Sequence, residues 1–353
     1  MMVIDQRLSC KIANMGFVGA CLVVSLHVAQ KLSSVGIGGE ILPYFAYKGI
    51  GQCAVPFFFI ASGFFLAGHM DESGWWGREC KKRVRSLLVP YLFWNVFYWL
   101  LMHGLKLALG FARIEFASDL GWGLNLGLNP LINPQHPHLW FLRALMFAVL
   151  ISPVFYVLLR RIKLIGLLAF VIFCECVSAW LVHGVQDWHR VFVIRGWFQG
   201  MSCFSIGIYL RQNPVHITFG NGWRGIFTGV CLAFSVLPWL LKAFIAQNGF
   251  DMIARGMELP VLLISVFFLF EAVPHSAWPN WLTSCAFPIY LVHGAILILF
   301  LAVCRALGLK DYLQHCSFWF YVLYWMVAIA VSIMITLLMR KVRWLAGVAF
   351  GGR

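Results

Sequence analysis

Four short stretches of this chain place polar or charged side chains where an apolar run would otherwise be unbroken. The first is His27, near the far end of the run from Ile12 to Val28. A helix from Lys11 to His27 rises roughly 24 Å at 1.5 Å per residue, against a hydrocarbon core about 30 Å thick. If Lys11 marks one face of a membrane, His27 sits most of the way to the other. An ionisable ring at that depth is costly and marks a functional position. A general base is one use for it; a helix–helix hydrogen bond is the other.

The second stretch is Val55-Pro-Phe-Phe-Phe-Ile-Ala-Ser62-Gly63-Phe-Phe-Leu66. Pro56 can bend a helix and Gly63 permits close helix contact, so its residues read first as packing. The third is Lys81-Lys82-Arg83-Val-Arg85, followed by Pro90-Tyr91 and Asn95. Cations before an apolar run anchor a span at the cytoplasmic face. They also suit the phosphate oxygens of an anionic cofactor. The fourth is His136-Pro-His138-Leu-Trp140-Phe-Leu-Arg143. Arg143 lies about one turn inside an apolar run and needs a partner, a wet cavity or a route by which to snorkel outward. His138 and Trp140 fall at the interface, where Trp is common in any case.

The elements that must hold these residues are set by composition. Hydrophobic residues make up 61% of the chain and charged residues 11%, where a soluble domain carries about 25% charged residues. The apolar runs approach twenty residues and are apolar on every side, which predicts membrane helices and not the alternation of a barrel. The expected class is all-α, a polytopic helical bundle with about ten transmembrane helices. The expected spans are 12–30, 49–69, 86–108, 138–159, 162–182, 196–211, 223–246, 257–273, 283–304 and 317–340. The sixth is short and polar-spotted, with Gln199, Ser202 and Ser205. The first lacks a small-x-small cleavage site and is read as a span, not a signal peptide. With no repeat or linker, residues 1–353 are read as a single transmembrane domain.

The net charge of +14 is distributed by topology. Arg7 and Lys11, the run Arg78 to Arg85, Arg160, Arg161 and Lys163, Arg211 and Arg224, and the group Arg340 to Arg353 fall at alternate loops. By the positive-inside rule these loops and both termini are cytoplasmic. Membrane lipids are then the partners of the charge, and nucleic acid is not expected. Most of the eleven cysteines lie inside apolar runs and read as free buried thiols. Cys304 and Cys316 flank an outer loop and could pair. The outer stretch 109–137, rich in Gly, Asn, Pro and Trp, reads either as a cap over an outer cavity or as an ordinary loop.

In this order, the four stretches resemble the acyltransferase-3 family of integral-membrane acyltransferases. Its first span ends in an apolar run and a histidine, as in Leu22-Val-Val-Ser-Leu-His27. Its second carries Phe-Phe-x-x-Ser-Gly-Phe, as in Phe58 to Phe64. A basic run leads to Pro-Tyr, as in Lys82-Arg83-Val-Arg85 and Pro90-Tyr91, and His-Leu-Trp-Phe-Leu-Arg opens a later span, as in His138 to Arg143. A Pro-x-Tyr-Leu-x-His motif follows near the C-terminus, as in Pro288-Ile-Tyr290-Leu-Val-His293. One departure stands out. The family carries Arg or Lys eleven residues before its first-span histidine; here Gly16 holds that place, and Lys11 is more than a turn earlier. That points to different donor handling or to a different acceptor.

The resemblance implies an enzyme of the inner or plasma membrane that moves an acyl group, most often acetyl, from acyl-CoA. The acceptor would be a hydroxyl of a carbohydrate or glycan at the outer face, with N-acylation the variant. It implies His27 as general base, with Ser62, Trp140 and Arg143 as candidates to stabilise the oxyanion. Lys82, Arg83, Arg85 and Tyr91 would take the CoA donor, and His138, Trp140, Tyr290 and His293 the acceptor. Acetyl-CoA is the expected donor, no metal is expected, and a homo-oligomer is compatible with the chain. A secondary transporter or flippase is the alternative, since ten spans, Glu175 and buried histidines suit either. A scaffold or receptor is a third reading, and it leaves His27 and Arg143 without a task.

Overall fold

The computed structural model describes residues 6–34, 49–109, 134–182, 188–213, 224–248, 257–308 and 317–352. The central part of the outer stretch and Cys316 lie outside the described residues. Among the described residues every regular element is helical, as lipid requires of backbone groups that must be satisfied internally. In chain order the helices are α1 (Gln6–Ser34), α2 (Ala54–Ala67), α3 (Trp75–Arg83), α4 (Val89–Leu109), α5 (Trp140–Leu150), α6 (Ser152–Val182), α7 (Trp188–Gln212), α8 (Arg224–Gln247), α9 (Glu258–Ala272), α10 (Asn280–Thr283), α11 (Ala286–Ala306), α12 (Ser317–Arg340) and α13 (Arg343–Phe350).

Among the described residues, seven stretches are long and apolar enough to cross a membrane: Gln6–Gln30, Ile50–Ala67, Trp75–Leu105, Leu164–Leu181, Ile226–Ile245, Ala286–Cys304 and Trp319–Arg340. Pro137–Leu150 with Ser152–Arg161 makes an eighth if that broken pair crosses as one. The residues of the two remaining expected spans form the helices α7, with its polar residues, and α9, which has 15 residues, and both fall short of the length and apolarity of a span. Two boundaries differ from expectation. Arg160 and Arg161, expected as the break between two spans, continue α6, because Arg sustains a helix. The break falls instead at Ile151, ahead of Pro153, which sits in a first turn where its missing N–H costs nothing. The short helices α3 and α13 fall outside the expected spans; α3 in particular is too charged to register as an apolar run.

The contacts group into two compact units, Met1–Trp76 with Ile151–Ala286 and Gly77–Leu150 with Phe287–Arg353. In the first, α2 and α7 meet backbone to backbone. A Cβ at Gly63 would lie 2.1 Å from Phe204 O, and one at Gly207 would lie 2.0 Å from Ile60 O. At Gly200 it would meet the Phe59 ring at 2.6 Å. Gly200 and Gly207 are two turns apart and so share a face, the small-residue packing that replaces hydrophobic driving force in lipid. The Ser62-Gly63 stretch is therefore, at Gly63, a helix contact. The start of α1 is tied down by Lys11 Nζ on Glu271 Oε2 at 2.9 Å. Asn14 Nδ2 adds hydrogen bonds to Pro274 O and Ser276 O.

In the second unit, Val84–Leu88 form a π turn between α3 and α4. Pro90 cannot donate to Ser86 O, so a regular α turn is broken there. On the far side of the turn, α4 carries Trp94, whose Nε1 donates to Ala349 O at 2.9 Å and whose ring stacks on Phe350. That contact docks α13.

Candidate functional site

A set of buried polar and aromatic side chains in the second unit is built on α4, the turn before α5, and α11. Tyr91, Asn95 and Tyr98 recur at i, i+4 and i+7 and form one buried stripe along α4. Asn95 Nδ2 donates to Tyr91 O at 2.7 Å, and its Oδ1 accepts from Gln135 N at 2.7 Å. One side chain thus ties the segment before α5 to α4. His136 is extended, as a residue before proline must be, and Pro137–Leu139 then wind one tight turn. This brings the rings of His136 and His138 together, with their Nδ1 atoms hydrogen-bonded to each other.

The fully buried Tyr98 ring stacks on His136 at 4.8 Å and meets His138 edge-on at 5.2 Å. Its hydroxyl donates to Leu291 O at 2.9 Å and accepts from Ala295 N at 3.0 Å. Those two backbone groups are i and i+4 on α11, so the hydroxyl is inserted into that helix's own ladder. Tyr290 donates its hydroxyl to His138 O, and the His138 and His293 rings lie 4.8 Å apart. His293 is fully buried, and its Nδ1 faces Ile289 O at 3.1 Å. A carbonyl only accepts, so Nδ1 carries the hydrogen and the neutral ring keeps its lone pair on Nε2. Arg143, also buried, lies within electrostatic reach of the Tyr91 hydroxyl. Trp140, half-buried, opens α5.

The structure thus brings together Tyr91, His138, Arg143, Tyr290 and His293 of the expected site residues, all in the second unit. Three further members complete the group: Asn95, Tyr98 and His136. The stripe at i, i+4 and i+7 in an apolar run was their signal for Asn95 and Tyr98. His136 already opens the fourth stretch, but its contact with His138 is made only by the turn at Pro137 that folds it back.

The basic run is in the same unit, but its members differ. Glu79, buried one turn earlier, holds Lys82 at 3.3 Å and Arg83 at 3.4 Å. Lys81 and Arg85 are exposed, and among the described residues neither is in an ion pair. His27 and Ser62 belong to the first unit, on α1 and α2, and both are half-buried. His27 Nδ1 lies 3.1 Å from Gln30 Oε1, one turn on. With the amide oxygen facing it, Nδ1 donates and Nε2 is again the lone-pair nitrogen. The place of Gly16 is open, with nothing within 4 Å of an added Cβ. Lys11 is engaged by Glu271 and lies over the Phe270 ring, so its charge is not available to replace a cation at residue 16. Among the described residues no group of three or more His, Cys, Asp and Glu is arranged to hold a metal ion.

Comparison with known families decides what these motifs belong to: the acyltransferase-3 family, described as an acyltransferase domain, matches residues 16–341. The chain belongs to the acyltransferase-3 family. No curated protein and no solved structure matches it. The family match runs through segments of both units and through every motif on which the sequence resemblance rests. The acyltransferase-3 protein is accordingly a membrane acyltransferase with multi-pass helices. Residues 343–352, with α13, follow the matched region.

Proposed function

We propose that this protein transfers an acyl group, acetyl in the first instance, from acyl-CoA to a hydroxyl of a carbohydrate or glycan. In this reading it works in the inner or plasma membrane, with both termini and the donor on the cytoplasmic side and the acceptor at the outer face. The observation that carries it is the family match over residues 16–341, with the histidine, basic-run and His-Leu-Trp motifs each in place.

The acceptor oxygen attacks the thioester carbonyl carbon and His27 Nε2 takes the hydroxyl proton. The C–S bond then breaks, and the CoA thiolate leaves and takes up a proton. The Gln30 contact supports this role, because it leaves Nε2 as the basic nitrogen. Ser62 and Arg143 are the proposed donors to the oxyanion. Lys82, Arg83 and Arg85, with Tyr91, are the proposed donor-binding residues, with Arg85 the leading cation because Glu79 already engages the other two. His138, Trp140, Tyr290 and His293 are the proposed acceptor-binding residues. An aromatic and imidazole lining with fixed hydrogen-bond geometry suits sugar hydroxyls.

The test is calorimetric binding of acetyl-CoA to the purified full chain in detergent, beside free CoA and the double variant Arg83→Ala/Arg85→Ala. Saturable binding that the double variant loses is expected. Folded wild-type protein that binds neither ligand would overturn the reading and favour a transporter.

A further inference from the structure

The π turn at Val84–Leu88 separates the basic run from the polar stripe of α4, and its geometry has a consequence for both. A π turn holds one residue more than an α turn. One residue corresponds to about 100° of rotation at 3.6 residues per turn. The turn therefore sets the angle between Arg85 and the residues before it on one side, and Tyr91, Asn95 and Tyr98 on the other. If it tightened to a regular helix, the basic run would swing by about 100° relative to that stripe.

Two features keep the turn wide. Val89 N–H reaches back five residues to Val84 O, and Pro90 has no N–H, so Arg85 O finds no donor at i+4 or i+5. Against this widened face lies Gly351. A Cβ there would come to 3.0 Å from Arg85 O, 3.0 Å from Ser86 O and 2.6 Å from Ser86 Cα. Its φ of +66° is one that L side chains rarely adopt. The turn at Gly351 is itself anchored, since Phe350 and Ala349 are fully buried and Trp94 Nε1 holds Ala349 O.

The geometry points to Gly351 as a positioning residue. The segment Ala349–Gly351 is a backstop that holds the π turn open and so aims Arg85 at the phosphates of the CoA donor. This rests on the donor-binding reading above. Gly351 contacts no donor group in this account; it acts through the backbone of Arg85 and Ser86.

The experiment is a double-mutant cycle on donor affinity, read by calorimetry with acetyl-CoA and with free CoA on the full chain. Gly351→Ala strains the backbone and drives a methyl group into the π turn, so Kd is expected to rise about tenfold. Arg85→Ala should weaken binding by a similar factor. The combined variant should bind no more weakly than Arg85→Ala alone, because a residue that acts through Arg85 has nothing left to aim. Trp94→Phe removes the hydrogen bond to Ala349 O but keeps an aromatic ring against Phe350, and should give a smaller loss in a chain that still folds. Gly351→Ala binding like wild type, or losses that multiply in the combined variant, would overturn the backstop while leaving the donor reading intact. Folded wild-type protein that binds neither acetyl-CoA nor CoA would overturn both.

Discussion

The hydroxyl of Tyr98 occupies the space that a side chain at Gly294 would need. A Cβ at Gly294 would lie 2.7 Å from that oxygen, and 2.8 Å and 3.0 Å from His138 Cε1 and Nδ1. Absence of a side chain on α11 is what lets α4 insert a hydroxyl into the α11 ladder and lets His138 close over the same spot. Gly294→Ala is therefore expected to destabilise the protein by about 1–3 kcal/mol, the usual range for overpacking, seen as a lower unfolding temperature in detergent. In a Tyr98→Phe background the same substitution should cost less, because the colliding oxygen is gone. Equal costs in both backgrounds would show that the fit is with His138 alone.

Glycines elsewhere sort by the same criterion. Gly63→Ala and Gly207→Ala each drive a methyl group into a carbonyl of the neighbouring helix, at 2.1 Å and 2.0 Å. Neither backbone can yield without parting α2 from α7. Both variants should unfold at lower temperature, or fail to accumulate in the membrane. Gly16→Arg is the contrast, since nothing stands within 4 Å of its Cβ. It should accumulate and melt like wild type, and it restores the basic residue usual in the family. Melting temperatures of the three variants side by side decide the matter, and a Gly16→Arg variant that misfolds would refute the open space.

Much of the membrane architecture was legible in the sequence because hydropathy over twenty residues is a strong signal; α12 is bounded by Ser317 and Arg340, the expected limits. The motif histidines and Arg143 were legible because such residues stand out in an apolar run. What could not be read were effects of backbone geometry and long-range pairing. Arg160 and Arg161 looked like a break between two spans because they are charged, yet charge does not break a helix. Glu79 lies one turn ahead of the basic run, but only the fold shows it buried and holding Lys82 and Arg83. The meeting of Gly351 with Ser86 joins residues some 265 positions apart, and no local pattern announces it.

Within the basic run, burial and pairing separate residues of like charge. Arg83 and Lys82 share the Glu79 carboxylate, whereas Arg85 is exposed. A cation already engaged by a carboxylate offers less to a phosphate. Arg85→Ala should raise the Kd for CoA by about tenfold and Arg83→Ala by less, with each loss shrinking as salt screens the charges. Glu79→Gln should tighten CoA binding, since it frees both partners. Titrations at two ionic strengths check this, and an Arg83→Ala loss larger than that of Arg85→Ala would show that the Glu79 pair is broken when the donor binds.

His27 and Gln30 give the sharpest test of the proposed chemistry. A neutral imidazole acts as a base only through the nitrogen that carries the lone pair, and here the Gln30 contact assigns that role to Nε2. His27→Ala should abolish transfer of radiolabelled acetyl from acetyl-CoA into the glycan and lipid of membranes from producing cells, with a loss of about 10²–10⁴ for a lost general base. Gln30→Leu removes only the acceptor for Nδ1–H and lets the ring adopt the other tautomer. It should lower kcat by about tenfold, less than loss of the base itself, and leave the KM for acetyl-CoA unchanged, because a tautomer affects proton transfer and not donor binding. Gln30→Glu keeps an acceptor in place and should retain most of the rate. If Gln30→Leu instead raises KM at constant kcat, the contact serves binding, and His27 is not held as a base by Gln30.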